Sequence, residues 1–186
     1  MSSFNIIELP LPRLKRIERK QLGDHRGFLS RLFCAEELSA AGWTKSIAQI
    51  NHTYTAKRGT VRGLHFQYPP YSEMKLVTCI RGEVWDVAVD VRVNSPTFLQ
   101  WHAEYLSADN GCALLIPEGF AHGFQAMSDN VELIYCHSAA HCADAEAGLN
   151  TQDRQLAIPW PLAITELSER DCRHPVIETG FEGVVL

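Results

Sequence analysis

The sequence predicts an all-β fold, a jelly roll or small β-barrel with one short helix and an irregular C-terminal tail. Short segments rich in β-branched and aromatic residues recur along the chain between turn residues. The segment Glu83–Arg92 has the period-two alternation of a strand. Convincing helical signals are confined to Ala35–Ala41. A chain of 186 residues suits one domain, 1–186, with a core of its own.

The elements follow in order. A proline-interrupted entry over residues 9–20 contains an early strand. A glycine-bounded turn leads to a strand over Phe28–Phe33, and the helix Ala35–Ala41 ends before Gly42, a typical C-terminal cap. The proline-broken tail offers one helical turn at Glu166–Asp171. Further strands are predicted at Ile47–Thr53, Lys75–Ile80, Trp101–Leu106, Ala113–Ile116, Gly123–Ala126 and Val131–Ser138.

The strand Glu83–Arg92 shows how its two faces differ. Successive side chains of a strand point to opposite faces. One face carries the apolar side chains Trp85, Val87, Val89 and Val91. The other face carries Asp86, Ala88, Asp90 and Arg92. We therefore expect one face to pack in the core and the polar face to be enclosed by another part of the fold.

Composition limits the possible classes of function. The net charge of −5 and the absence of a basic block argue against nucleic-acid binding. Glu8 interrupts the apolar N-terminal run, so neither a signal peptide nor a membrane span is expected. Cytoplasm is the expected compartment. Reduced thiols, with no CxxC pair, are predicted for Cys34, Cys79, Cys112, Cys136, Cys142 and Cys172.

A metal site is not predicted. A metal-binding barrel of the cupin type usually offers His-x-His, then Glu, then a distant His. The corresponding positions here are His65, Gln67, Lys75 and His122. An ammonium group in place of an anionic ligand would repel a divalent cation. The run Cys136–Cys142 superficially resembles zinc ligands, but on a strand its histidines and its cysteines lie on opposite faces.

The residues His65, Lys75, Tyr135 and Asp171 could together support proton abstraction next to a carbonyl group. Imidazole suits a general base at neutral pH, and a phenol can donate a proton. A cation stabilises an oxyanion, and a carboxylate on the far imidazole nitrogen fixes the tautomer. Each residue also has a structural explanation, such as a Lys75–Asp86 ion pair or a sheet tyrosine at the rim. The spacing of these residues alone does not decide between the catalytic and the structural explanation.

A series of motifs runs in one order from Asp24 to Asp171. They are Asp24–Phe28, Gln49–Asn51, Arg62–Gln67, Lys75–Val77, Gly82–Arg92, Ser95–Thr97, Leu106–Asn110, Ile116–Phe124, Trp160–Pro161 and Leu167–Asp171. Taken together, these motifs resemble the dTDP-4-dehydrorhamnose 3,5-epimerase family of cupin-fold nucleotide-sugar epimerases. The resemblance implies a metal-free and cofactor-free jelly roll, usually a homodimer, that acts on a nucleoside-diphosphate 4-keto-6-deoxyhexose.

The resemblance also implies catalytic roles. The family's base falls on His65, its carboxylate partner on Asp171 and its proton donor at C5 on Tyr135. Lys75 is expected beside the ketone oxygen, with Asp86 nearby to orient it. Because the C4 ketone acidifies the hydrogens on C3 and C5, the base would remove each in turn. The enolate would then be reprotonated from the opposite face.

Substrate-binding residues are implied as well, some of them from the partner subunit. Their expected positions are Arg26, Phe28, Gln49, Asn51, Arg62, His122, Glu146 and Arg170. Guanidinium groups match phosphate oxygens, which supports the three arginines. Two positions depart from the family pattern at the places where the family contacts the nucleobase of its substrate. Arg31 replaces a glutamate, and His141 replaces a tyrosine that stacks on thymine.

The departures leave the nucleotide open. Arginine only donates hydrogen bonds, so Arg31 would suit an acceptor edge such as cytosine N3, and His141 stacks over less area than tyrosine. The thymidine nucleotide is the first expectation, and a cytidine nucleotide is the second. An epimerase of C3 alone and a non-catalytic sugar-nucleotide-binding cupin also fit the sequence. A metal-dependent cupin oxygenase is disfavoured by Gln67 and Lys75.

Overall fold

The computed structural model describes residues 2–177 and 181–186, and antiparallel strands dominate it. The strands are β1 (Phe4–Glu8), β2 (Lys15–Arg19), β3 (Gln21–Asp24), β4 (Gly27–Ser30), β5 (Gln49–Thr55), β6 (Val61–Gln67), β7 (Lys75–Arg81), β8 (Glu83–Asp90), β9 (Trp101–Ser107), β10 (Cys112–Ile116), β11 (Phe120–Ala126), β12 (Val131–His137) and β13 (Glu146–Gly148). The helices are α1 (Ala35–Ser39) and α2 (Glu169–Cys172).

Two larger sheets make up the body of the fold. The first has the order β1-β2-β10-β7-β12-β5, and the second has the order β13-β6-β11-β8-β9. Strands β3 and β4 form a separate hairpin. Two antiparallel sheets joined by crossover connections form a jelly roll. The prediction of an all-β jelly roll with a short helix and an irregular tail is therefore confirmed.

Three apolar clusters hold the layers together. One lies between the two sheets and includes Val77, Leu114 and Phe124. A second joins the outer face of β8 to the C-terminal tail, and a third packs α1 on the outer face of the first sheet. Full burial of a leucine or valine side chain stabilises the folded state by about 1.5–3 kcal/mol relative to leaving it exposed. Apolar packing thus covers the outer faces of both sheets and fills part of the space between them, and polar groups line the rest of that space.

Strand β8 confirms the expected contrast between its faces. Val87 and Val89 are fully buried in the cluster beneath the tail. On the opposite face, Asp86 and Asp90 are also 0% exposed. Asp90 is satisfied locally, since its carboxylate accepts hydrogen bonds from the Arg92 guanidinium. Asp86 instead belongs to the space between the sheets.

Several boundaries differ from the prediction. Helix α1 ends at Ser39 rather than Ala41, and Gly42 with φ +100° lies beyond it. The strand expected over Phe28–Phe33 ends at Ser30. The strands β1, β3, β6 and β13 were not predicted. Three of them have only three to five residues, which carry little pattern, and the pairing of all four is set by neighbouring strands.

Two further expectations concern thiols and membranes. All six cysteines have free thiols in the structure, and half of them are buried. Within residues 2–177 and 181–186, no helix has both the length and the apolar character needed to cross a membrane.

Candidate active site

A cavity of about 850 Å³ opens between the two sheets. Strands β5, β7 and β12 line one side, and β6 and β11 line the other, with α2 at the mouth. Most of the predicted site residues line it. They are Gln49, Asn51, Arg62, His65, Lys75, His122, Tyr135, His141, Glu146, Arg170 and Asp171.

His65 and Asp171 form a close pair in this cavity. His65 Nε2 lies 2.8 Å from Asp171 Oδ1, although the residues are far apart in sequence. Helix α2 delivers Asp171, and Ser168 caps that helix by accepting a hydrogen bond from the Asp171 amide. Because Nε2 is turned toward the carboxylate, Nδ1 is the nitrogen left for a substrate. The pair has the arrangement of a base with an orienting carboxylate.

Asp171 is ionised in this setting. Asp171 is 3% exposed, and burial alone would raise the pKa of its carboxyl group. The hydrogen bond and charge of His65, together with the Gly63 amide that donates to Oδ2 at 3.3 Å, outweigh burial and hold the pKa of Asp171 below its usual value. The carboxylate therefore remains available to stabilise a protonated imidazole.

Gly63 allows this approach by its lack of a side chain. Its φ of +131° favours glycine, and a Cβ there would lie 2.5 Å from the Cα of Gly123 on β11. The pairing of β6 with β11 is irregular between His122 and Phe124. The backbone at Gly63 can thus turn its N–H toward Asp171 while β6 stays in the sheet.

Lys75 lies on the opposite sheet, and its partner differs from the expectation. Its Nζ forms an ion pair with Glu73 Oε1 at 2.5 Å, and both side chains are less than a tenth exposed. Glu73 also accepts a hydrogen bond from Gln67 Nε2 at 2.8 Å. Lys75 Nζ lies 3.5 Å from the carbonyl oxygen of His65. The expectation that Asp86 orients Lys75 is therefore wrong, because Glu73, two residues away, occupies that place.

Asp86 is paired with His122. The register sets His122 of β11 opposite Ala88, so His122 is a diagonal neighbour of Asp86 on the same face. His122 Nε2 lies 2.9 Å from Asp86 Oδ1. Burial raises the pKa of Asp86, and the nearby His122 opposes that rise. Asp86 therefore contacts His122, which lines the cavity, and forms no ion pair with Lys75.

Tyr135 is packed next to this pair. Its ring meets the His122 ring edge-on, with centroids 5.8 Å apart. Burial raises the pKa of the Tyr135 hydroxyl, and the negative charge of Asp86 raises it further. The phenol therefore stays protonated at neutral pH and can donate a proton.

Two histidines of the cavity region were not predicted from the sequence. His137 stacks on Tyr135 with centroids 5.9 Å apart and lies directly opposite Lys75 across β7 and β12. Burial, followed by the Lys75 charge, lowers the pKa of His137 to about 4. His174 lies 3.7 Å from Asp171, three residues later in the chain. The alternation of β12 points to His137 beside Tyr135, but only the fold reveals His174.

Charged residues cluster at the mouth of the cavity. Glu146 on β13 accepts from Arg170 at 2.5 Å, and its other oxygen lies 2.9 Å from His141 Nε2. Burial would raise the pKa of Glu146, but these two partners hold it below its usual value. Gln49 accepts from the His141 amide at 2.9 Å. Arg62 is anchored to Thr55 Oγ1 at 3.1 Å.

Three predicted substrate-binding residues, Arg26, Phe28 and Arg31, do not line the cavity of their own chain. They therefore cannot contribute to a site built within one subunit. Arg26 pairs with Asp24 at the tip of the β3–β4 hairpin, and Phe28 is 62% exposed. Arg31 pairs with Glu37 at 2.5 Å and contacts Ser3. Arg26 and Phe28 lie in the hairpin, which belongs to neither large sheet, and Arg31 follows it directly.

Possible metal ligands come together at one place that the sequence did not indicate. The cysteines and histidines of Cys136–Cys142 form no ligand group among the described residues, and Cys136 is buried in the apolar cluster beside α1. One group, His65, Asp171 and His174, has ligand atoms within 4.8 Å of one another. There, Asp171 Oδ1 is already in hydrogen-bond contact with His65.

Comparison with known proteins gives the family. The model of the dTDP-4-dehydrorhamnose 3,5-epimerase family matches residues 8–179. The chain is 42% identical over 169 residues to the dTDP-4-dehydrorhamnose 3,5-epimerase of Shigella flexneri, covering 90% of this chain and 93% of that protein.

Solved structures agree with the sequence matches. The dTDP-4-dehydrorhamnose 3,5-epimerase of Bacillus anthracis str. Ames, with TDP and PPi bound, superposes with a TM-score of 0.90 at 40% identity, covering 94% of this chain and 99% of that one. The dTDP-6-deoxy-D-glucose-3,5-epimerase of Legionella pneumophila Philadelphia 1, in complex with dTDP-4-keto-L-rhamnose, gives a TM-score of 0.91 at 37% identity, covering 97% and 98%. The chain therefore belongs to the dTDP-4-dehydrorhamnose 3,5-epimerase family.

Proposed function

We propose that the cavity between the sheets epimerises C3 and C5 of dTDP-4-dehydro-6-deoxyglucose with His65 as the base. The chain is an isomerase of its family, and 3,5-epimerisation of this nucleotide sugar is its reaction. The observation that carries the assignment of roles is the 2.8 Å contact between His65 Nε2 and the buried carboxylate of Asp171. That contact leaves His65 Nδ1 as the proton acceptor in a cavity that also holds a cation and a phenol.

Proton abstraction is the first step. The C4 ketone of the sugar acidifies the hydrogens on C3 and C5, and His65 Nδ1 removes each in turn. It releases the first proton to solvent before it takes the second, and solvent water returns a proton to C3. The imidazolium that forms is stabilised by Asp171, whose charge is maintained by its hydrogen bonds. A base with one fixed tautomer can serve both carbons if the sugar turns between the two steps.

Lys75 stabilises the enolate. An ammonium group has three donors. Two point toward Glu73 at 2.5 Å and the His65 carbonyl at 3.5 Å, which leaves one for the ketone oxygen. Because the ammonium lies beside the strand that carries the base, it can meet negative charge as it develops on that oxygen. Burial strengthens this interaction relative to water.

Tyr135 supplies the proton at C5. It lies on β12, in the sheet opposite β6 and its His65. A donor on one wall and a base on the other can act on opposite faces of a sugar bound between them, which is the requirement for inversion. The raised pKa of Tyr135 keeps the donor protonated until an enolate is present.

Arg170, Arg62, Gln49 and Asn51 lie toward the opening, where they are suited to bind the diphosphate and nucleoside. The exposed hairpin side chains Leu22, Phe28 and Leu29, together with Arg26, support a homodimer in which the hairpin meets a second copy. Sedimentation equilibrium is expected to give twice the mass of 20.9 kDa. A monomer at the concentration of the activity assay would contradict the dimer.

The role of His65 is tested by following conversion of dTDP-4-dehydro-6-deoxyglucose to dTDP-4-dehydrorhamnose by proton NMR. Wild-type protein is expected to convert it, whereas His65→Asn, which is close in shape but lacks a basic nitrogen, is expected to be inactive while remaining folded. Full conversion by His65→Asn would overturn the assignment of the base. No conversion by folded wild-type protein would overturn the assignment of the substrate.

A further inference from the structure

A second imidazole lies behind the His65–Asp171 pair. Asp171 Oδ1, which lies 2.8 Å from His65 Nε2, is also 3.7 Å from His174 Nε2. The two histidine rings meet edge-on, with centroids 5.4 Å apart and planes at 69°. One carboxylate oxygen therefore faces two imidazoles, one open to the cavity and one enclosed.

The enclosed imidazole is held in place by the backbone. His174 follows α2, and its carbonyl oxygen accepts a hydrogen bond from Asn150 Nδ2 at 3.2 Å. Its ring rests over Gly148 of β13, where a Cβ would lie 2.4 Å from Nε2. Gly148 is also the cross-strand partner of His65. A glycine at this position therefore gives the ring access to the back of the catalytic pair.

Within residues 2–177 and 181–186, the nitrogen that faces Asp171 has no other partner. His174 Nε2 is buried and has no hydrogen bond among the described residues. A buried donor without an acceptor is costly, and 3.7 Å is too long for a hydrogen bond. Hydrogen bonds around a catalytic base are often long in the unliganded protein and shorten when substrate is bound. Asp171 Oδ1 is the charged acceptor within reach.

His174 is neutral when it makes this contact. Burial lowers its pKa, and the positive charge of protonated His65 lowers it further, with Arg170 acting in the same direction. Asp171 and Glu146 oppose these effects. A neutral imidazole with its hydrogen on Nε2 can donate to Asp171 without adding a competing positive charge beside His65.

We infer that His174 is a positioning residue, a second N–H donor that fixes the Asp171 carboxylate in the orientation in which it accepts from His65. It touches neither substrate nor reacting atoms, and it acts through Asp171 alone. The inference rests on the proposed function, because it assumes that His65 is the base. Its effect should be equal at C3 and C5, since the same base serves both carbons.

Two substitutions separate the donor from the ring. His174→Phe keeps a ring over Gly148 but removes the donor, and His174→Gln keeps a donor of similar reach. We expect kcat to fall about tenfold in His174→Phe, with KM unchanged, and to stay within about threefold of wild type in His174→Gln. Deuterium uptake from D₂O at C3 and C5 is expected to slow by the same factor in His174→Phe.

Gly148→Ala provides an independent variant, because the added methyl group displaces the ring without changing His174. Its kcat is expected to fall as in His174→Phe. In a His174→Ala background the same methyl group has no ring to displace, so the two changes should be strongly non-additive. Additive losses of kcat in the double variant would contradict the idea that both substitutions act through the His174 ring.

A readout independent of turnover keeps the inference separate from the proposed function. NMR of protein labelled with ¹⁵N-histidine reports the tautomer of His65 without substrate. His174→Phe is expected to reduce the population with hydrogen on Nε2 of His65, and His174→Gln is expected to restore it. Wild-type kcat and tautomer in His174→Phe, or equal losses in both variants with a lowered Tm, would overturn the inference. An inactive wild type would contradict the function and leave the tautomer test standing.

Discussion

Substitution of Asp171 by asparagine tests the pair on which the mechanism depends. The carboxylate has two acceptors in use, Oδ1 facing His65 and Oδ2 receiving the Gly63 N–H at 3.3 Å. Asparagine has the same shape but only one oxygen. If that oxygen keeps the Gly63 amide, the NH₂ group faces His65 Nε2. The imidazole must then carry its hydrogen on Nδ1, the nitrogen that should accept the substrate proton.

The expected loss follows from the bond that disappears. A hydrogen bond to a charged group contributes about 1.5–3 kcal/mol. If it acts fully in the transition state, kcat should fall by about ten- to a hundredfold. The substitution adds no volume at a side chain that is 5% exposed, so the fold should be retained. KM should change little, since Asp171 binds the base and not the sugar.

The assay is conversion of dTDP-4-dehydro-6-deoxyglucose followed by proton NMR, with Tm measured on the same samples. Asp153→Asn is a matched control. Asp153 is also buried, and it accepts backbone hydrogen bonds from Gln155 and Ile177 at 2.7 and 2.6 Å, away from the cavity. It should lower Tm and leave kcat unchanged. A kcat for Asp171→Asn within twofold of wild type would refute the reasoning.

Three other perturbations test separate parts of the mechanism and of the stability. Tyr135→Phe should retain deuterium uptake at C3 and lose inversion at C5; loss at both carbons would show that the phenol is not specific to C5. Glu73→Gln should lower Tm and kcat together, because it leaves the buried Lys75 without its anionic partner. Breaking a buried ion pair costs about 3–5 kcal/mol of stability. An unchanged Tm would show that Lys75 does not depend on Glu73. His137 has a pKa of about 4 in the folded chain and near 6.5 when unfolded. Between these pH values the unfolded state binds more protons, so the stability of the folded chain should fall as pH drops from 6.5 to 4. The fall in Tm over this range should be smaller in His137→Asn, and an identical fall in both proteins would contradict the shift.

Sequence patterns were most informative where one strand or one motif sufficed. The alternation of Glu83–Arg92 placed Asp86 on an enclosed polar face, and the structure buries it completely. The residue types of His65, Lys75 and Tyr135 indicated proton abstraction, and the fold brings all three to one cavity. Such predictions succeed because side-chain direction along a strand depends only on local geometry.

Contacts between distant elements were not predictable in the same way. The partner of Asp86 is His122 because β8 and β11 pair in a register that makes them diagonal neighbours, and that register is a property of the whole sheet. His174 reaches Asp171 only because Gly148 leaves room for its ring. The hairpin with Phe28 lies outside the cavity, as does Arg31 directly after it, and no local pattern determines this placement.

The central claim is that one base in this cavity exchanges protons at two carbons of one nucleotide sugar. Incubation of wild-type protein with dTDP-4-dehydro-6-deoxyglucose in D₂O, followed by proton NMR, tests it most directly, with the cytidine analogue as a parallel sample. Deuterium is expected at both C3 and C5, with the thymidine form reacting faster. Deuterium at C3 alone, at neither carbon, or faster uptake in the cytidine form would contradict the claim.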